Sequence, residues 1–169
     1  GKDQTAISCV KMLNGNLYVT ECLGLSGGYS DAVLEKISKI ARENKINTIL
    51  VEQNFGGGMF AELLKPFLMR FHPCQLEDVR NNKTKELRII DTLEPVMNSH
   101  RLIIDRKVIE KDFRSNPQET PERRLKLQLV YQLSRISRHR GSLVHDDLVD
   151  SLAGAVAYWT EYMAQNEDL

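Results

Sequence analysis

The sequence predicts an α/β protein. Two β-rich runs meet at a turn signal, a nearly continuous apolar run of strand length follows further on, and apolar residues recur at helical spacing around it. At 169 residues the chain is long enough to bury a core, and a single domain over residues 1–169 is the economical expectation.

The first two strands are expected over Thr5–Leu13 and Leu17–Leu25, because Asn14-Gly15-Asn16 between them is a hairpin signal. Gly27-Gly28 then breaks the pattern and Ser30 has the chemistry of an N-cap. From Ala32 to Glu43, Val33, Leu34, Ile37, Ile40 and Ala41 mark one face of a helix. Ile46–Glu52 reads as a buried strand that ends in an acid. After three glycines a helix is expected from Met59 to about Met69. Asn81–Glu86 reads as an exposed loop before a helix over Leu87–Met97, and Arg101–Asp105 as a short strand. Pro121 opens a helix expected to run through Leu133 to about Arg138, and Gly141 is a stop before the last helix.

With 41% hydrophobic and 27% charged residues, the composition is that of a soluble globular protein. No apolar run approaches the roughly 20 residues needed to span a bilayer, so no membrane role is expected. Cys9, Cys22 and Cys74 are odd in number, far apart and lack zinc-site spacing, which favours a reducing cytosol. The formal net charge is zero, but it is unevenly placed. After His145 come six acids and no Lys or Arg, so the preceding part carries 23 basic residues against 23 − 6 = 17 acids, a net +6. A cationic surface beside an acidic pocket is compatible with that asymmetry.

The last helix carries the sharpest chemistry. On a helical wheel with Asp146 at 0°, Asp150 falls near 40° and Asp147 near 100°. Leu148, Val149, Leu152, Ala153, Ala155, Val156 and Trp159 take the opposite arc. Helix capping and the helix dipole account for one or two of these aspartates but not for a third on the same face. Clustered carboxylates suit a divalent cation, since Mg²⁺ and Mn²⁺ prefer hard oxygen ligands, with helix caps and ordinary surface acids as the alternative reading of these residues. One helix rarely completes such a site. Glu52, at the carboxyl end of a strand where α/β sheets gather ligands, is the natural second source. The Gly56-Gly57-Gly58 loop behind it lets a backbone approach a phosphate, but no Lys-Ser/Thr pair makes it a Walker motif. His145 reads as a local hydrogen-bonding residue, Phe55 as a packing residue and Trp159 as core.

Val51–Phe60 (VEQNFGGGMF) and Leu143–Ala155 (LVHDDLVDSLAGA) together resemble the nuclease domain of tailed-phage terminase large subunits, the DNA-packaging motors. Leu87–Asp105 and Tyr131–Gly141 resemble the segments joining those motifs, so the resemblance covers nearly the whole chain. It implies an RNase H-like fold, with a mixed central sheet flanked by helices, and metal-dependent endonuclease cleavage of concatemeric double-stranded viral DNA. It implies two Mg²⁺ or Mn²⁺ ions, with Glu52 and Asp147 as catalytic ligands and Asp146 and Asp150 as neighbours able to ligate or tune. The implied partners are double-stranded DNA, the ATPase domain of a full-length large subunit, the portal and the small terminase subunit, in the host cell cytoplasm.

One departure stands out. The family's first catalytic aspartate lies on a strand before a Gly-Lys-Asp-like segment, whereas this chain opens at Gly1-Lys2-Asp3. That strand is therefore expected upstream, in a longer polypeptide whose C-terminal part this is. Asp3 is read as structural, with metal ligation as the lesser alternative. Lys83, Lys85, Arg88, Arg135, Arg138 and Arg140, with Gly56 and Gly57, are the expected phosphate contacts. Two rival readings remain: a resolvase- or transposase-type nuclease of the same fold, and a non-catalytic module that docks to DNA or the portal.

Overall fold

The computed structural model describes residues 4–53 and 58–167. The expectations for Asp3, Phe55, Gly56 and Gly57 therefore lie outside the described residues. The described chain gathers into two units, one built on Leu25–Asn82 and the other on Ala6–Gly24 together with the chain from Lys83 onward.

In the first unit, α1 (Asp31–Glu43) begins at Ser30, whose hydroxyl accepts from the Val33 N–H at 3.4 Å, as an N-cap should. Its stripe of Val33, Leu34, Ile37, Ile40 and Ala41 is buried. It packs against α2 (Met59–Phe71), whose buried face is Phe60, Ala61, Leu64 and Leu68. β3 (Thr48–Glu52) pairs in parallel with β4 (Gln75–Val79), and the register sets Glu52 opposite Val79. β4 was not anticipated, because only Leu76 and Val79 of its five residues are apolar.

In the second unit, β1 (Thr5–Leu13) and β2 (Asn16–Leu25) form the expected hairpin. Asn14 and Gly15 both take positive φ, at 54° and 79°, as a two-residue primed turn demands. β5 (Leu102–Ile104) pairs in parallel with β2, which makes the sheet mixed. Around it lie α3 (Lys85–Asn98), α4 (Arg106–Arg114), α5 (Pro121–Lys126), α6 (Leu129–Arg135) and α7 (Asp147–Glu167). The core joins Leu17 and Val19 of β2, Ile89, Leu93 and Val96 of α3, and Val108 and Leu129 to Val149, Leu152 and Val156 of α7. Each such fully buried side chain contributes about 1.5–3 kcal/mol relative to exposure. Trp159 is half-buried against this core and donates its indole N–H to the Val10 carbonyl at 2.9 Å. Burial pushes the Cys9 and Cys22 thiols up to about 12, so both remain neutral.

Three sequence expectations change. The helix expected over residues 121–138 is two, α5 and α6, with Gln128 extended between them. The cause is tertiary: the buried Asp112 carboxylate of α4 accepts from the Leu129 and Val130 N–H groups at 2.7 and 3.0 Å and starts a new helix there. α4 itself was not anticipated, because its sequence RKVIEKDFR is mostly charged. Asp105 caps it by accepting from the Lys107 N–H at 2.9 Å. Finally, α3 starts at Lys85, two residues early, and Glu86 is buried rather than in an exposed loop. No helix among the described residues is long and apolar enough to cross a membrane.

Candidate functional site

The acidic cluster sits at the start of α7. The apolar stripe read from the sequence is the face that enters the core, with Leu148, Val149, Leu152, Ala153 and Val156 buried. The opposite face is left to Asp146, Asp147 and Asp150. Asp146 closes the first turn through its carbonyl, which accepts from the Asp150 N–H at 2.9 Å.

The first turn of α3 holds this segment at three points. Lys85 Nζ lies 3.4 Å from Asp146 Oδ1. The Gly141 N–H donates to Glu86 Oε1 at 2.9 Å. Arg88 Nη2 lies 2.8 Å from Asp150 Oδ1. This last contact is an ion pair without hydrogen-bond alignment. Arg88 Nε and Asp150 Oδ1 are buried with no directed hydrogen bond among the described residues.

The electrostatics follow from that geometry. Burial works against the charged form of Lys85, but the pull of Asp146, Asp150 and Asp147 outweighs it and raises its pKa. The cluster thus already favours a cation. Three carboxylates thus share this face with the cations of Lys85 and Arg88. A divalent ion fits this oxygen donor set, and Asp146 and Asp147 would hold it from this unit. No group of three or more His, Cys, Asp or Glu is preassembled among the described residues.

Glu52 belongs to the other unit, where it ends β3 as an exposed residue. Its surroundings come from the end of β4. Asn81 Nδ2 donates to Glu52 Oε1 at 2.9 Å, and Arg80 Nε donates to Gln53 Oε1 at 2.7 Å.

The basic residues divide. Lys83, Lys85, Arg135 and Arg140 are exposed, with Arg135 over the Tyr131 ring at 5.6 Å. Arg138 is exposed but bridges Asp91 at 2.9 Å and Glu94 at 3.9 Å. Arg88, expected at the phosphate surface, is instead mostly buried against Asp150. His145 is half-buried beside the cluster.

Sequence reasoning passed over Glu86, Asn81, Asp112 and Gln132. For Gln132 a signal existed. It stands among Leu129, Leu133 and Ile136 at helical spacing, a polar residue on an apolar face.

The family model described as "Terminase Bacteriophage T7, Ribonuclease H-like domain" matches residues 1–102. The terminase large subunit of Enterobacteria phage T3 is 40% identical over 158 residues, covering 94% of this chain. The chain spans 27% of that relative's length.

Proposed function

This chain belongs to the ribonuclease H-like domain family of the bacteriophage T7 terminase, and on that premise we propose that it is a divalent-metal-dependent DNA endonuclease. Its proposed substrate is concatemeric double-stranded viral DNA, cut as genomes are packaged in the host cytoplasm. The observation that carries the reading is the placing of Asp146, Asp147 and Asp150 on one face at the mouth of α7, close enough that their joint field raises the Lys85 pKa above its ordinary value.

Glu52 and Asp147 are the proposed principal ligands of two Mg²⁺ or Mn²⁺ ions, with Asp146 as an additional ligand. Bound metal of this kind supplies an activated water and charge stabilisation for phosphodiester hydrolysis. The chain's own groups do the rest. Asp150 is committed to Arg88, which makes it a positioning residue for its neighbours. Lys85 pairs with Asp146, and its ammonium would be free to meet a phosphate if that carboxylate held a metal ion instead. Lys83, Arg135 and Arg140 hold the DNA backbone in a salt-dependent way, without reading sequence. The proposed partners are the ATPase domain of a full-length large subunit, the portal and the small subunit.

The test is cleavage of supercoiled plasmid by the full-length protein in Mn²⁺ and in EDTA, alongside Glu52→Ala and Asp147→Ala. Metal-dependent nicking and linearisation, lost in both variants, is the expected result. Full activity in both variants overturns the ligand assignment. DNA binding without cleavage by the parent protein moves the reading to a docking module.

A further inference from the structure

The N-terminal N–H groups of a helix need acceptors, and the usual one is the side chain of the residue just before the helix, which bonds the second or third N–H. In α7 that residue is Asp146. Its carboxylate instead faces Lys85, at 3.4 Å. The third N–H of the helix, Val149 N, donates to Gln132 Oε1 of α6 at 3.1 Å.

Gln132 is built for this contact. It is 1% exposed, and its amide nitrogen donates to the Lys126 carbonyl at 3.3 Å, so both ends of the side chain are tied. α6 is placed in turn by Asp112, 3% exposed, which accepts from the first two N–H groups of that helix. On the other side, the Cys22 thiol donates to the Leu148 carbonyl at 3.8 Å. The break between α5 and α6 makes this possible, because Lys126 O, at the end of α5, is the acceptor that fixes the Gln132 amide.

We propose that Gln132 is a positioning residue that caps the acidic helix from another helix and thereby releases the Asp146 carboxylate for metal ligation. Without it, Asp146, the residue just before the helix, is the usual capping acceptor for Val149 N, and such capping would withdraw its carboxylate from the cluster. The inference rests on the metal-dependent reading given above.

The experiment is Mn²⁺ binding to the full-length protein, followed by the resonance of free Mn²⁺, with melting temperatures measured in parallel. Outer-layer partners of metal ligands typically alter affinity 10–100-fold, so Gln132→Met is expected to weaken Mn²⁺ binding about 10-fold. Gln132→Glu keeps an acceptor for Val149 N and is expected to retain near-parental affinity even if its melting temperature falls. Val108→Ala, a core truncation in α4, is expected to lower the melting temperature without weakening Mn²⁺ binding. Parental affinity in Gln132→Met, or equal weakening in Val108→Ala, overturns the capping role alone. A parent protein that binds no Mn²⁺ overturns the metal-dependent reading as well.

Discussion

Arg88 Nη2 lies 2.8 Å from Asp150 Oδ1, and each side chain is only 14% exposed. Breaking such a pair by removing one partner leaves a charge stranded in a poor solvent, whereas replacing both partners removes the problem. Arg88→Met is therefore expected to lower the unfolding free energy by about 3 kcal/mol. Combining it with Asp150→Leu is expected to recover most of the loss. Arg88→Lys is expected to fall between, because an ammonium lacks the planar fork of the guanidinium. Urea denaturation of the three variants checks this. A single-variant loss near zero means that the pair behaves as a surface ion pair.

Lys85 makes the opposite kind of contact. Its side chain is 47% exposed and its distance to Asp146 is 3.4 Å, so Lys85→Met is expected to change stability by less than about 1 kcal/mol. Its charge nonetheless competes with any cation for Asp146. The variant is expected to bind Mn²⁺ more tightly than the parent while binding duplex DNA more weakly. The salt dependence of DNA binding is expected to flatten by about one unit of log–log slope, the mark of one lost phosphate contact. Unchanged Mn²⁺ affinity in a titration rules out the competition.

Glu86 gives the site a pH dependence. The Gly141 N–H is the main cause of its lowered pKa, with its own backbone N–H and the charges of Lys85 and Arg140 adding to it against burial. A carboxylate whose folded pKa lies below its unfolded one stabilises the fold above the unfolded value. That contribution is lost as pH falls through the folded value. The window thus lies below the ordinary glutamate value of 4.5. Glu86→Gln keeps an acceptor for Gly141 but does not titrate. Its melting temperature is expected to fall less than the parent's between about pH 5 and pH 3. Parallel curves for the two proteins exclude the linkage.

These three contacts show where the sequence was readable. Local chemistry was legible: Asn14-Gly15 demands positive φ, Ser30 caps α1, and the stripe from Leu148 to Val156 had one face to bury. The three aspartates stood out for the same reason, since a helical wheel leaves them nowhere but the other face. Tertiary choices were not legible. Asp112 splits one periodic segment into α5 and α6 from 17 residues away in sequence, and periodicity carries no trace of that acceptor. Glu86 looked like one more charge in a polar run, because its partner Gly141 is 55 residues distant. β4 escaped because a parallel pairing supplies what its own two apolar residues do not.

Asn81 supports a fourth prediction, in the first unit. It follows β4 by two residues and donates a 2.9 Å hydrogen bond to Glu52 Oε1, at the end of the neighbouring strand. That bond restrains an exposed carboxylate that is otherwise free to rotate, and it leaves the other carboxylate oxygen for a ligand. Asn81→Leu removes the donor at a surface position, where substitutions usually shift stability by no more than about 0.5 kcal/mol. Cleavage is expected to fall about 10-fold, as when a metal ligand loses its supporting hydrogen bond. Asn81→Gln, which keeps a donor on a longer arm, is expected to retain part of the activity. Plasmid cleavage at several Mn²⁺ concentrations distinguishes the causes. A misdirected ligand shifts the concentration needed for half-maximal rate, and excess metal restores the rate. A loss that no amount of Mn²⁺ restores places the role of Asn81 on the DNA instead.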